Sequence, residues 1–125
     1  MTEENAKLQI EKQILAQQYQ EIQEQIQKIE GQLDEVLNLK TSIEEFSKLK
    51  KNDEFLAPLA NGIFINTKLL DEKKLKINVG AGVLVDKTPE QALKLVQEQY
   101  KSLMKLKEEV SQQFEMLLHA LQNLE

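Results

Sequence analysis

The chain has 125 residues, of which 41% are hydrophobic, 5% aromatic and 30% charged, with a net charge of −5. Such a composition is poor material for a globular core and good material for long solvated helices with one apolar seam. The absence of cysteine excludes disulfides and thiolate chemistry and fits a reducing compartment; the acidic balance argues against a broad nucleic-acid surface, and no run approaches the roughly 18 apolar residues of a membrane span. The opening Met1-Thr-Glu-Glu-Asn5 is acidic and lacks the apolar stretch of a secretory signal. All 16 basic residues are lysine, where a phosphate or carboxylate clamp would usually recruit arginine.

From Leu8 an apolar repeat in steps of three and four runs through Leu15, Tyr19, Ile22, Ile26, Ile29, Leu33, Val36 and Ile43, interrupted by Lys12 and Lys40. That is the coiled-coil period, and the Gln, Glu and Lys between seam positions are good soluble helix formers. The phase slips at Phe46 and Leu49. Lys48, Lys50 and Lys51 suit the negative end of a helix dipole, and Asn52 suits a left-handed cap. The spacing predicts one helix over 1–52, on the order of 70 Å long.

The centre, 53–88, concentrates β-branched residues together with three of the four glycines and Pro58, and Pro89 follows it directly. Leu59-Ala-Asn-Gly62-Ile-Phe-Ile65-Asn-Thr67 is matched 20 positions later by Val79-Gly-Ala-Gly82-Val-Leu-Val85-Asp-Lys87. Asn61-Gly62 between apolar runs is a strong hairpin signal; Asp71–Lys74 reads as a polar turn and Gly80–Gly82 as a second tight one. The pattern predicts strands at 55–59, 62–70, 74–80 and 82–87, forming two β-hairpins with one apolar face each. Such hairpins are marginal alone and need a further sheet, as from another subunit.

Thr88-Pro89-Glu90-Gln91 is a capping box with proline at the first helical position. A second seam follows through Leu93, Val96, Tyr100, Leu103, Lys107, Val110, Phe114, Leu117, Leu121 and Leu124, over a helix spanning 89–125. Two such helices joined by a compact β-insert should fold back as an antiparallel coiled coil. The fold class expected is therefore α+β: a long antiparallel two-helix coiled coil with two central β-hairpins, in a single domain over 1–125. At the end carrying the chain termini, Ile10, Ile14, Met116 and Leu118 fall off the seam, and Leu8 and Ile10 would overhang the shorter second helix. Contiguous apolar surface on a polar protein marks an interaction site.

Other chemistry is sparse. Gly80-Ala-Gly82 lacks the third glycine and following helix of a dinucleotide fingerprint. His119 is the only histidine, with no cysteine or aspartate placed to join it in a site, and the Glu44/Glu45 and Glu108/Glu109 pairs sit on solvated faces. No catalytic residue, metal ligand or cofactor site is expected.

The helices flanking PLANGIFINTKL and KINVGAGVLVDKT, the latter followed by a capped helix, resemble the α class of prefoldin subunits over the whole chain, most densely from Pro58 to Thr88. The two hairpins favour the α over the β class, and the pattern leans archaeal. α subunits often continue past the second helix, whereas this sequence stops at Glu125. The resemblance implies a cytoplasmic, ATP-independent co-chaperone built from two α and four β subunits, whose hairpins join into a double β-barrel platform. Its coiled-coil tips hold unfolded clients and pass them to a group II chaperonin, with no nucleic-acid or membrane partner. It would place platform contacts at Leu59, Ile63, Ile65, Leu75, Ile77, Val79, Val83 and Val85. Client contacts would fall at Leu8, Ile10, Ile14, Met116, Leu117, Leu118, Leu121 and Leu124. Two alternatives are a structural coiled-coil tether without holding activity, and an RNA-binding helical arm, against which the acidic charge counts.

Overall fold

The computed structural model describes residues 2–70 and 74–124. The element order is α1 (Glu3–Ser47), β1 (Glu54–Ala60), β2 (Ile63–Lys68), β3 (Leu75–Asn78), β4 (Leu84–Lys87) and α2 (Pro89–Asn123). The turn expected at Asp71–Lys74 lies, in its residues 71–73, outside the described residues. By contact density the chain divides into two compact units, Met1–Val36 with Gln99–Glu125, and Leu37–Glu98.

The first unit is a helix pair. Thr2 caps α1: its Oγ1 accepts from Asn5 N at 3.4 Å, and Glu3 and Glu4 in the first turn favour the positive end of the helix dipole. Ile29, Leu33 and Val110 form a buried cluster, with Ile22, Ile26, Tyr100 and Leu103 packed against it. The rings of Tyr19 and Phe114 lie 4.7 Å apart between centroids, and Lys107 Nζ reaches Glu30 Oε1 at 3.5 Å. As the α1 number rises the α2 number falls, so the two helices run antiparallel here. Burial follows the seam, and each fully buried aliphatic contributes roughly 1.5–3 kcal/mol.

The three seam lysines resolve differently. Lys107 keeps its ammonium in reach of both water and Glu30, its side chain 35% exposed, which is snorkelling from an apolar row. Lys40, in the second unit, turns outward to Glu44 one helical turn on, at 3.8 Å. Lys12 is half-buried.

In the second unit α1 ends at Ser47, earlier than the expected boundary at 52. Its last turn tightens, with Lys48 N donating to Glu45 O at 3.2 Å and Leu49 N to Phe46 O at 3.0 Å. Asp53 Oδ2 then accepts from Lys50 N at 2.7 Å, drawing the backbone out of the helix. Asn52 does take a left-handed conformation, φ 74°, but as part of the 50–53 turn rather than as a helix cap. Its amide already donates to Leu69 O at 2.8 Å, so the sheet's hydrogen bonding begins where the helix was expected to stop.

β1 and β2 pair antiparallel about the Asn61-Gly62 turn, Phe55 opposite Thr67 and Ala57 opposite Ile65, with a register shift between Pro58 and Ala60. Leu59 is the extra residue at that bulge. Gly62 has φ +74°, as the tight turn requires. β3 and β4 form a separate two-stranded sheet, Leu75 opposite Lys87 and Ile77 opposite Val85. Both expected hairpins are present, with shorter strands. The second hairpin comes nearer to the expected single apolar face: Leu75, Ile77 and Val85 share one side, and the other carries the Lys76–Asp86 ion pair at 3.5 Å, with Leu84 as its one apolar side chain. The expectation fails for the first. Phe55, Ala57, Ile63 and Ile65 share one face, while Leu56, Pro58 and Phe64 occupy the other, because Phe55-Leu-Ala-Pro-Leu59 is apolar at every position rather than alternating.

α2 opens with the reciprocal capping box: Gln91 N donates to Thr88 Oγ1 at 3.2 Å and Thr88 N to Gln91 Oε1 at 3.1 Å. Pro89, Ala92 and Val96 are buried behind it.

Candidate functional site

Ile10, Ile14 and Met116 stand 56%, 51% and 73% exposed, and Leu118 37%. Because a two-helix seam covers only one stripe of each helix, these positions have nothing to bury against within the pair. Ile10 and Ile14 are one helical turn apart on α1, and Met116 and Ala120 one turn apart on α2, so each pair shares a face. Ile14 and Ala120 meet along an open groove of about 340 Å³, lined also by Glu11, Leu15, Gln18 and Leu124. The groove thus brings Ile14 and Ala120 together across the two helices, with the exposed Ile10 and Met116 one helical turn further along each. Leu118, two residues from Met116, lies on another side of α2.

The remaining residues of the expected client surface divide by burial. Leu117 is only 9% exposed, so it is a seam residue and offers no contact surface. Leu121 and Leu124 are half-buried, and so is Leu8, which is less open than a full overhang would leave it. All four fall on the seam as the spacing predicted; the seam covers Leu117, while Leu8, Leu121 and Leu124 keep part of their surface open and Leu124 lines the groove.

On the hairpins, Leu59, Ile63, Ile65, Val79 and Val83 are exposed, whereas Leu75, Ile77 and Val85 are half-buried. Sequence reasoning passed over Leu56, Phe64 and Leu84, all exposed; the unbroken apolar run from Phe55 to Leu59 was the signal for the first of them. Both two-stranded sheets also leave strand edges open within the chain, and exposed edges together with apolar faces are what natural proteins cover by pairing. The Gly80-Ala81-Gly82 segment connects β3 to β4 as a turn, closed by Val83 N to Gly80 O at 2.9 Å, so it cradles no phosphate at a helix start.

His119 is exposed on α2. Among the described residues no group of three or more His, Cys, Asp or Glu could hold a metal ion, and no helix is long and apolar enough to cross a membrane. What the groove offers is apolar, non-directional contact.

A family model described as prefoldin subunit matches residues 15–125. The prefoldin subunit alpha of Methanococcus maripaludis strain C5 is 32% identical over 99 residues, covering 79% of this chain and 67% of that protein. That of Methanococcus aeolicus is 36% identical over 87 residues, covering 70% and 58%, so this chain spans little more than half its length. That of Thermofilum pendens is 28% identical over 112 residues, covering 90% and 81%. Among solved structures, a chain of filamentous PFD from Methanocaldococcus jannaschii superposes with a TM-score of 0.79 at 16% identity, over 90% of this chain and 93% of that one. At that identity the likeness shows the fold.

Proposed function

Because this chain belongs to the prefoldin family, as an archaeal α-type subunit, we propose that it is a co-chaperone subunit that holds unfolded proteins at the free end of its helix pair and passes them to a group II chaperonin without ATP. The observation that carries this reading is the exposed apolar surface of Ile10, Ile14 and Met116 about the groove at Ala120. Several weak apolar contacts shield an aggregation-prone chain without demanding a particular sequence, and the flexible thioether of Met116 adapts to varied surfaces.

Assembly is the second half of the proposal. The hairpins would pair with those of a second α and four β subunits in the cytoplasm, covering the open edges and the apolar faces. The filamentous PFD chain from Methanocaldococcus jannaschii shares this fold, which supports assembly with other prefoldin chains here. Prefoldin is a chaperone family.

The test is suppression of aggregation of a chemically unfolded client, by the assembled protein, with Ile10, Ile14 and Met116 replaced by serine. Helicity, assembly and melting should stay close to the parent, since these side chains are exposed, while protection should fall. Undiminished protection would favour the tether reading for these helices, or place capture on other subunits.

A further inference from the structure

The groove between the helix ends has a charged border that an apolar holding surface does not require. On α1, Glu4, Lys7, Glu11, Ile14, Gln18 and Glu21 are spaced three and four apart and therefore share a face. Glu11, Ile14 and Gln18 of that row line the groove. On α2 the facing row runs Glu109, Gln113, Met116 and Ala120, and Ala120 lines the groove from the other side. The two rows together carry four carboxylates and one ammonium, which leaves 15 lysines against 17 acids in the rest of the chain. All four carboxylates are exposed, and among the described residues neither they nor Lys7 take part in an ion pair. Glu11 lines the groove itself, with the half-buried Lys12 next to it in the chain, and the other charges lie further along the two rows, where the flanks of an extended occupant would pass.

We propose that the groove discriminates among unfolded chains by charge, taking apolar segments flanked by lysine or arginine and disfavouring those flanked by glutamate or aspartate. The inference rests on the holding role above and adds to it the class of client. The apolar groove supplies contact area without direction, whereas the carboxylates act over roughly a Debye length, about 10 Å at 0.1 M salt, which reaches the residues beside a seated apolar side chain. An acidic flank meets the same carboxylates as like charges and is repelled.

The probes are three fluorescent peptides with one apolar centre and flanks of lysine, serine or glutamate, titrated with the full-length chain by anisotropy at 50 and 500 mM NaCl. The lysine-flanked peptide should bind about fivefold tighter than the glutamate-flanked one at low salt, as a few exposed charge contacts allow, with the gap mostly closed at high salt. Glu4→Gln with Glu11→Gln should shrink the gap at 50 mM. Removing the same charge from the other unit, by Glu45→Gln with Glu98→Gln, should leave it in place. Equal affinities for the lysine and glutamate flanks, or equal effects of the two double variants, would overturn the charge selection. Ile14→Ser separates the two readings: it should weaken all three peptides alike, and failure to do so would count against holding at this groove altogether.

Discussion

Replacing Lys107 with leucine tests the helix seam where it departs from its own pattern. Lys107 occupies an apolar position one turn from Leu103 and near the buried Val110, its side chain 35% exposed and its ammonium 3.5 Å from Glu30, which is itself 52% exposed. Burying about two-thirds of a leucine side chain contributes on the order of 1–2 kcal/mol, but the lysine stem already supplies part of that contact, leaving a gain of about 1 kcal/mol. The ion pair that is lost lies in water-accessible surroundings and contributes about 0.2–1 kcal/mol. The net expectation is a small gain, about 0.5 kcal/mol, or about 2 °C in melting temperature. It should be read from helical circular dichroism at fixed protein concentration, since assembly makes melting concentration-dependent. A cycle with Glu30→Gln should give a coupling below about 1 kcal/mol. A loss of stability beyond 1 kcal/mol on Lys107→Leu, with a large coupling, would show that Glu30 and Lys107 act as a protected pair and that the leucine does not meet the seam.

Two glycines should respond oppositely to alanine, although neither has an atom within 4 Å of an added Cβ. Gly31→Ala, in an exposed stretch of α1, should stabilise by about 1 kcal/mol through helix propensity, whereas Gly62→Ala, at φ +74°, should cost about 1–2 kcal/mol in backbone strain; both are measurable by denaturant unfolding. On the hairpins, Ile63→Lys with Val79→Lys should release smaller species with unchanged helicity in native mass measurements, and retention of the parent mass would show that these faces are not what joins subunits.

How much of this was legible in the sequence depended on whether one period governed a stretch. The 3-4 repeat placed Ile29, Leu33 and Val110 in the core, and Thr88-Pro-Glu-Gln91 placed the α2 start, because capping is a local device whose partners lie three residues apart. The end of α1 was misplaced by five residues, because the side chain of Asp53 and the carbonyl of Leu69 compete for the backbone there. Neither partner shows in the helical period. The second apolar face of the first hairpin was hidden for the opposite reason: the run from Phe55 to Leu59 has no alternation to read. Within the groove surface, Ile10, Ile14 and Met116 were found by leaving the seam's phase. The exclusion of Leu117 and the charged border around Ile14 needed the helix pairing itself, which sets which stripes face each other.

The claim that unfolded clients are held at this end of the helices is tested most directly by site-specific photo-crosslinking. A photoreactive side chain is placed in turn at Ile14, at Met116 and, as a comparison, at the exposed Gln32 on α1, and the assembled protein is irradiated with an unfolded client. Client adducts concentrated at Ile14 and Met116 and sparse at Gln32 are the predicted result; adducts at Gln32 equal to those at Ile14, or none at Ile14 while the protein still prevents aggregation, would contradict it.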